Sequence, residues 1–212
     1  LFTCIATVVR AQQMSELENR IDSLLNGKKA TVGIAVWTDK GDMLRYNDHV
    51  HFPLLSVFKF HVALAVLDKM DKQSISLDSI VSIKASQMPP NTYSPLRKKF
   101  PDQDFTITLR ELMQYSNKEL KDFLWQTMID TETGANKLKG MLPAKTVVGH
   151  KTGSSDRNAD GMKTADNDAG LVILPDGRKY YIAAFVMDSY ETDEDNANII
   201  ARISRMVYDA MR

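Results

Sequence analysis

Cysteine is almost absent: the 212 residues contain one, Cys4, close to the N-terminus. A lone thiol forms no internal disulfide, and the rest of the chain has none for metal binding or thiol catalysis. Neither charge is in excess, with 27 basic residues against 27 acidic. Nucleic-acid binders concentrate a basic excess on one face, so no nucleic-acid partner is expected. Beyond the first residues no apolar run reaches the roughly 18 residues of a membrane span. Histidine is sparse: His49, His51, His61 and His150. His49 and His51 alternate at strand spacing, but no cysteine or carboxylate cluster joins them at a zinc-like interval. Solvated or structural histidines are expected, with no metal and no cofactor. What remains is 43% hydrophobic and 25% charged, enough to bury a core without a covalent staple. A small neutral or anionic ligand fits this balance best.

Residues 1–11 are apolar or small apart from Arg10, and end in Val9-Arg10-Ala11. They read as the remnant of an export signal cut before Gln12, with a frayed N-terminal strand as the alternative. Leu1-Phe2-Thr3 is a poor lipoprotein signal for Cys4. A soluble periplasmic protein is expected, with its domain in residues 12–212.

Met14, Leu17, Ile21, Leu24 and Leu25 recur at helical spacing, predicting a helix that stops near Asn26-Gly27. Thr31–Trp37 and Met43–Tyr46 read as a hairpin about Asp39-Lys40-Gly41. Thr146–Lys151, Ala169–Leu174 and Tyr180–Met187 read as three more strands, the last two joined by Pro175-Asp176-Gly177. Ile199, Ile203, Met206 and Ala210 form the stripe of a closing helix, with Asp193, Glu194 and Asp195 at its start. The expected fold is α+β: one antiparallel sheet flanked by the terminal helices, and a helical layer from the middle, at about 54–140. In that middle, Thr108-x-x-Glu111 and Ser116-x-x-Glu119 are capping-box patterns.

Ser56-Val57-Phe58-Lys59 opens an apolar stretch, Phe60–Met70, that is hydrophobic on nearly every face and so predicts a buried helix. At its start, free backbone N–H groups can stabilise an oxyanion, and Lys59 one turn on projects towards the serine. A lysine desolvated there can take the proton that makes a serine nucleophilic. A capping serine beside a solvent-seeking lysine has the same spacing. His150-Lys151-Thr152-Gly153-Ser154 ends a strand with a cation, two hydroxyls and a glycine, a set able to hold a carboxylate. A polar strand end is the plainer reading. The two motifs in this order and context form a much rarer combination than either alone.

The stretch Phe52–Phe60, then Tyr93-Ser94-Pro95, then His150–Ser154 resembles class A serine β-lactamases, nearest to the cephalosporinases of anaerobic gut bacteria. The resemblance covers Gln12 to Arg212. It implies a fold of the β-lactamase/penicillin-binding type and a β-lactam substrate, penicillin or cephalosporin, hydrolysed by a monomer through an acyl-serine without metal. Ser56 is then the nucleophile and Lys59 its proton-transfer partner. Lys151, Thr152 and Ser154 bind the substrate carboxylate, with Gly153 between them. The N–H groups of Ser56 and Ser154 form the oxyanion hole. Tyr93 matches the aromatic at the mouth of the site, or is a surface aromatic in a loop.

Two family elements have no match. The Ser-Asp-Asn motif is absent, and Ser155-Asp156 directly follows Gly153-Ser154 instead. The deacylating glutamate in its Glu-x-x-Leu-Asn context is absent too, since neither Glu111 nor Glu119 has that setting. Ser56 and Lys151 lie 95 positions apart, where the motifs of a full member need roughly 160. An internal deletion near 116–117 accounts for this. The implied activity is a β-lactam hydrolase impaired by loss of its deacylation base. The alternatives are an acylated, non-turnover penicillin-binding protein and a folding-impaired remnant; a D-alanyl-D-alanine peptidase shares the motifs but fits the whole chain less well.

Overall fold

The computed structural model describes residues 2–88, 95–113 and 120–212, with side chains over 12–88, 96–112 and 124–212. In chain order the elements are α1 (Phe2–Leu25), β1 (Thr31–Thr38), β2 (Met43–Tyr46), a 3-10 turn (Leu55–Val57), α2 (Phe58–Lys72), β3 (Ile80–Ile83), α3 (Pro95–Lys99), β4 (Phe105–Thr108), α4 (Leu109–Met113), α5 (Leu120–Ile129), β5 (Val147–Ser154), β6 (Lys163–Ile173), β7 (Lys179–Ser189) and α6 (Asp193–Met211). A second 3-10 turn spans Ala85–Gln87. The chain divides into two compact units, Leu1–Val62 with Met128–Arg212, and Ala63–Thr127.

The first unit is built on an antiparallel sheet in the order β2-β1-β7-β6-β5. Strand alternation sends Val32, Ile34 and Val36 of β1 and Tyr180, Ile182, Ala184 and Val186 of β7 to one face. There they meet Leu17, Ile21 and Leu24 of α1 and Ile199, Ile200, Ile203 and Val207 of α6. Each large aliphatic removed from water in this layer contributes about 1.5–3 kcal/mol. Thr192 caps α6 by accepting from the Asp195 N–H at 3.0 Å, and the acidic first turn suits the helix dipole. Arg157 and Lys163 gather on Asp193 and hold its carboxyl below the usual range, the Arg157 hydrogen bond being the larger cause.

Tyr46 ties β2 to α1, its hydroxyl donating to Asp22 at 2.7 Å. Burial first, then this hydrogen bond and the negative charge of Asp22, push its ionisation up to about 12. A raised phenol pKa contributes stability that is complete below the ordinary tyrosine value of about 10 and is lost as pH rises through about 12. Stability should therefore fall between pH 10 and 12, and Tyr46→Phe should remove one of the late steps in a spectrophotometric tyrosine titration. A Tyr46→Phe titration that overlays the original would contradict this.

In the second unit β3 and β4 pair antiparallel, and Phe100 stacks on Phe105 at 4.1 Å. The Thr108 capping box forms as predicted: the Thr108 hydroxyl accepts from the Glu111 N–H and the Glu111 carboxylate accepts from the Thr108 N–H, both at 3.0 Å. The Thr108 N–H first, then the Thr108 hydroxyl, both bonded to the Glu111 carboxylate, hold its pKa below the usual range. The Ser116-x-x-Glu119 pattern lies outside the described residues.

Two expectations need correction. Strand β6 begins at Lys163, six positions before the predicted Ala169, because the polar run Asp166-Asn167-Asp168 is buried with partners rather than placed in a loop. The apolar helix α2 is not buried on all sides. Leu67 and Met70 are covered, but Phe58, Val62 and Leu64 are 49%, 50% and 44% exposed. An all-apolar helix is buried only where something covers it, and among the described residues nothing covers these three side chains.

Candidate active site

Ser56 sits in the 3-10 turn that leads into α2. The turn is strained: Leu55, directly before the serine, has φ +47°, a left-handed conformation costing a branched side chain on the order of 1–3 kcal/mol. Such conformations persist only where the surroundings over-determine them. Phe52 lies over Gly33 of β1, where an added Cβ would come within 2.3 Å of its ring, and it meets the edge of Phe185 with centroids 6.3 Å apart. The buried Asn167 of β6 donates to the carbonyls of Pro53 at 2.6 Å and Leu54 at 3.4 Å. The Val57 N–H closes the turn on Leu54 O at 3.1 Å.

Gly153 completes this contact. A Cβ there would meet Leu54 O at 2.6 Å and Ser56 N at 3.1 Å, so the backbone that its missing side chain admits is that of the Ser56 turn. Gly153→Ala should cost about 1–3 kcal/mol in denaturant melts, as overpacking does. An alanine variant as stable as the original would show that the turn yields freely.

Alternation along β5 sorts the rest of the motif. Lys151 shares the face of Gly153, and Thr152 takes the other. Lys151 is half-buried, its amine donating to Thr152 O at 2.7 Å. Burial first, then the positive charge of Lys59, lowers its proton affinity; Asp168 opposes this and Lys137 adds to it. Its charge is therefore lost at lower pH than an ordinary lysine's. Thr152, expected at the substrate carboxylate, is buried and shares a 3.0 Å hydrogen bond with the Thr133 hydroxyl. Ser154 is exposed at the end of β5, and β5 is an edge strand whose outer backbone groups are unpaired within the sheet.

Their spacing predicts the Ser56 hydroxyl and the Lys59 amine within hydrogen-bond reach or one water apart; no direct hydrogen bond joins them among the described residues. Lys59 is exposed rather than desolvated, and an ammonium with free access to water gains little by turning inward. Its positive charge is nevertheless felt at Lys151. Tyr93 lies outside the described residues. His49, His51 and His61 are exposed. His150 is buried, its Nδ1 within 2.8 Å of the Asp168 carboxylate, which also accepts from the Leu138 N–H at 3.2 Å. That is the structural role expected of it. Beside it Lys137 pairs with Asp166 inside the protein. Asn167, Asp166 and Lys137 escape a reading by periodicity, although three polar residues between Ala165 and Ala169 hint at a buried polar cluster.

The fold that sets Ser56 on a strained turn against the edge strand carrying Lys151 is α+β, of the β-lactamase/penicillin-binding type. The Beta-lactamase enzyme family matches residues 16–117 and 103–211. A β-lactamase of Bacteroides uniformis is 74% identical over 286 aligned positions, covering all of this chain and 97% of the relative. The extended-spectrum β-lactamase PER-1 of Pseudomonas aeruginosa is 30% identical, over 98% of this chain and 91% of its own. The crystal structure of a class A β-lactamase from Bacteroides cellulosilyticus superposes with TM-score 0.83 at 45% identity, covering 94% of this chain and 98% of that one. This chain belongs to the class A β-lactamases. Its 212 residues against 286 aligned positions, and a family match in two pieces that overlap over 103–117, are consistent with an internal deletion.

Proposed function

We propose that this chain is a β-lactam hydrolase by descent in which acylation and release have come apart, leaving a protein that is acylated at Ser56 without turnover. In acylation the Ser56 oxygen attacks the β-lactam carbonyl carbon and the ring C–N bond breaks. The serine proton passes, through Lys59, to the ring nitrogen. Developing oxyanion charge falls to the N–H groups of Ser56 and Ser154, each worth about 3–4 kcal/mol in sites of this kind. Lys151 and Ser154 receive the substrate carboxylate. Release needs a base that activates water against the ester. The observation that carries the reading is the gap of Ser56 to Lys151, only 95 positions, which contains neither a Ser-Asp-Asn motif nor a Glu-x-x-Leu-Asn glutamate. Exposure of Lys59 supports slow acylation as well. Export of residues 12–212 to the periplasm as a monomer belongs to the same proposal.

Intact-mass measurement after incubation with benzylpenicillin is the test. One adduct on the original chain, persisting for minutes and absent in Ser56→Ala, is the expected result. An adduct unaffected by Ser56→Ala would refute it. The exposed face of α2 favours a second reading, a folding-impaired remnant, which predicts no adduct and a protein that sediments as aggregate.

A further inference from the structure

We infer that Asn167 is a positioning residue for Ser56, the polar centre of a cross-strand row that moulds the segment Phe52–Val57. The inference rests on the acylation reading only for the reactivity of Ser56. Gly33 stands opposite Phe185, Phe185 opposite Asn167, and Asn167 opposite Gly153, a single row across β1, β7, β6 and β5. Residues directly opposite one another project to the same face. The segment follows this row in order. Phe52 occupies the space over Gly33 against Phe185, the Pro53 and Leu54 carbonyls meet Asn167, and the Leu54–Ser56 backbone rests on Gly153.

Two of the four residues act by lacking a side chain and a third by ring packing, so direction comes from Asn167 alone. Its amide grips the two carbonyls immediately before Leu55, the residue held at φ +47°. Asn167 is fully buried, and its own Oδ1 has no partner among the described residues. A buried amide with an unmatched acceptor is costly, and an apolar residue of the same size would avoid that cost. The donor half is what this position needs.

The experiment uses selectively 15N-valine-labelled full chain, in which Val57 reports on the turn and Val36 and Val186 on the sheet. In the original protein the Val57 amide should exchange as slowly as the sheet valines, and exchange at a free-loop rate overturns the inference without any variant. Asn167→Asp keeps the shape but sets an oxygen against Pro53 O, and Asn167→Leu keeps the branched skeleton, in a somewhat larger side chain, without a donor. Both should speed Val57 exchange at least tenfold relative to Val36 and Val186. Both should also slow benzylpenicillin acylation by about 100-fold, the effect of a displacement near 1 Å, with the concentration for half-maximal rate unchanged. Ser189→Ala removes a buried 2.7 Å bond to Asn196 elsewhere in this unit; it should lower stability but leave the Val57 ratio and the acylation rate as they were. Equal loosening of turn and sheet in the Asn167 variants would overturn the inference. Selective loosening of Val57 in a protein that benzylpenicillin never labels would sustain it while refuting the acylation reading.

Discussion

A chromogenic cephalosporin mixed with this chain is expected to give at most one equivalent of ring opening and then stop. A positioned general base contributes about 10²- to 10⁴-fold to such a step, and the family's base for release has no match between Ser56 and Lys151. Steady hydrolysis should therefore run at least 10²-fold below that of the Bacteroides uniformis relative, which is 74% identical. Grafting the relative's unmatched segment between Ser116 and Asn117 should restore turnover and, at the same time, protect the exposed Phe58, Val62 and Leu64 of α2 from an apolar dye. Hydrolysis by the short chain within tenfold of the relative would sink this reading. In that event Glu119→Gln would show whether this glutamate has become the base.

Lys137→Met should destabilise the first unit by about 3–5 kcal/mol, the cost of leaving one member of a buried ion pair uncompensated. Both partners are nearly inaccessible, with side-chain exposures of 9% for Lys137 and 3% for Asp166. Against a total stability of about 5–15 kcal/mol for a protein of this kind, that loss should show plainly in a urea midpoint. The double variant Lys137→Met with Asp166→Leu should recover most of it, because two apolar groups of similar volume need neither charge nor partner. Recovery below 1 kcal/mol would mean that Lys137 acts through something other than Asp166, such as its 3.5 Å approach to Asn167 O.

Most of the sheet was legible in the residue pattern because its evidence is local. The hairpin of Thr31–Tyr46 alternates at period two about a turn, and the stripes of α1 and α6 repeat at helical spacing wherever the rest of the chain goes. Strand β6 was truncated at Ala169 because a hydrophobic pattern cannot foresee that Asp166, Asn167 and Asp168 each find a partner. Those partners, Lys137, Pro53 and His150, lie between 18 and 114 positions away. The full burial predicted for α2 failed for the complementary reason, since apolar residues state a need for cover without showing that anything meets it.

By itself the sequence determined the α+β class, the five strands of the large sheet, the family and the serine and lysine motifs, all carried by residue types at short spacing. Only the tertiary structure decided which motif residues work together. It set Lys151 and Gly153 on the face of the Ser56 turn, turned Thr152 to Thr133, left Lys59 in solvent and placed Asn167 under the strained Leu55. Each of these depends on strand register and on what covers a helix, and contacts between residues distant in the chain are invisible to any local pattern.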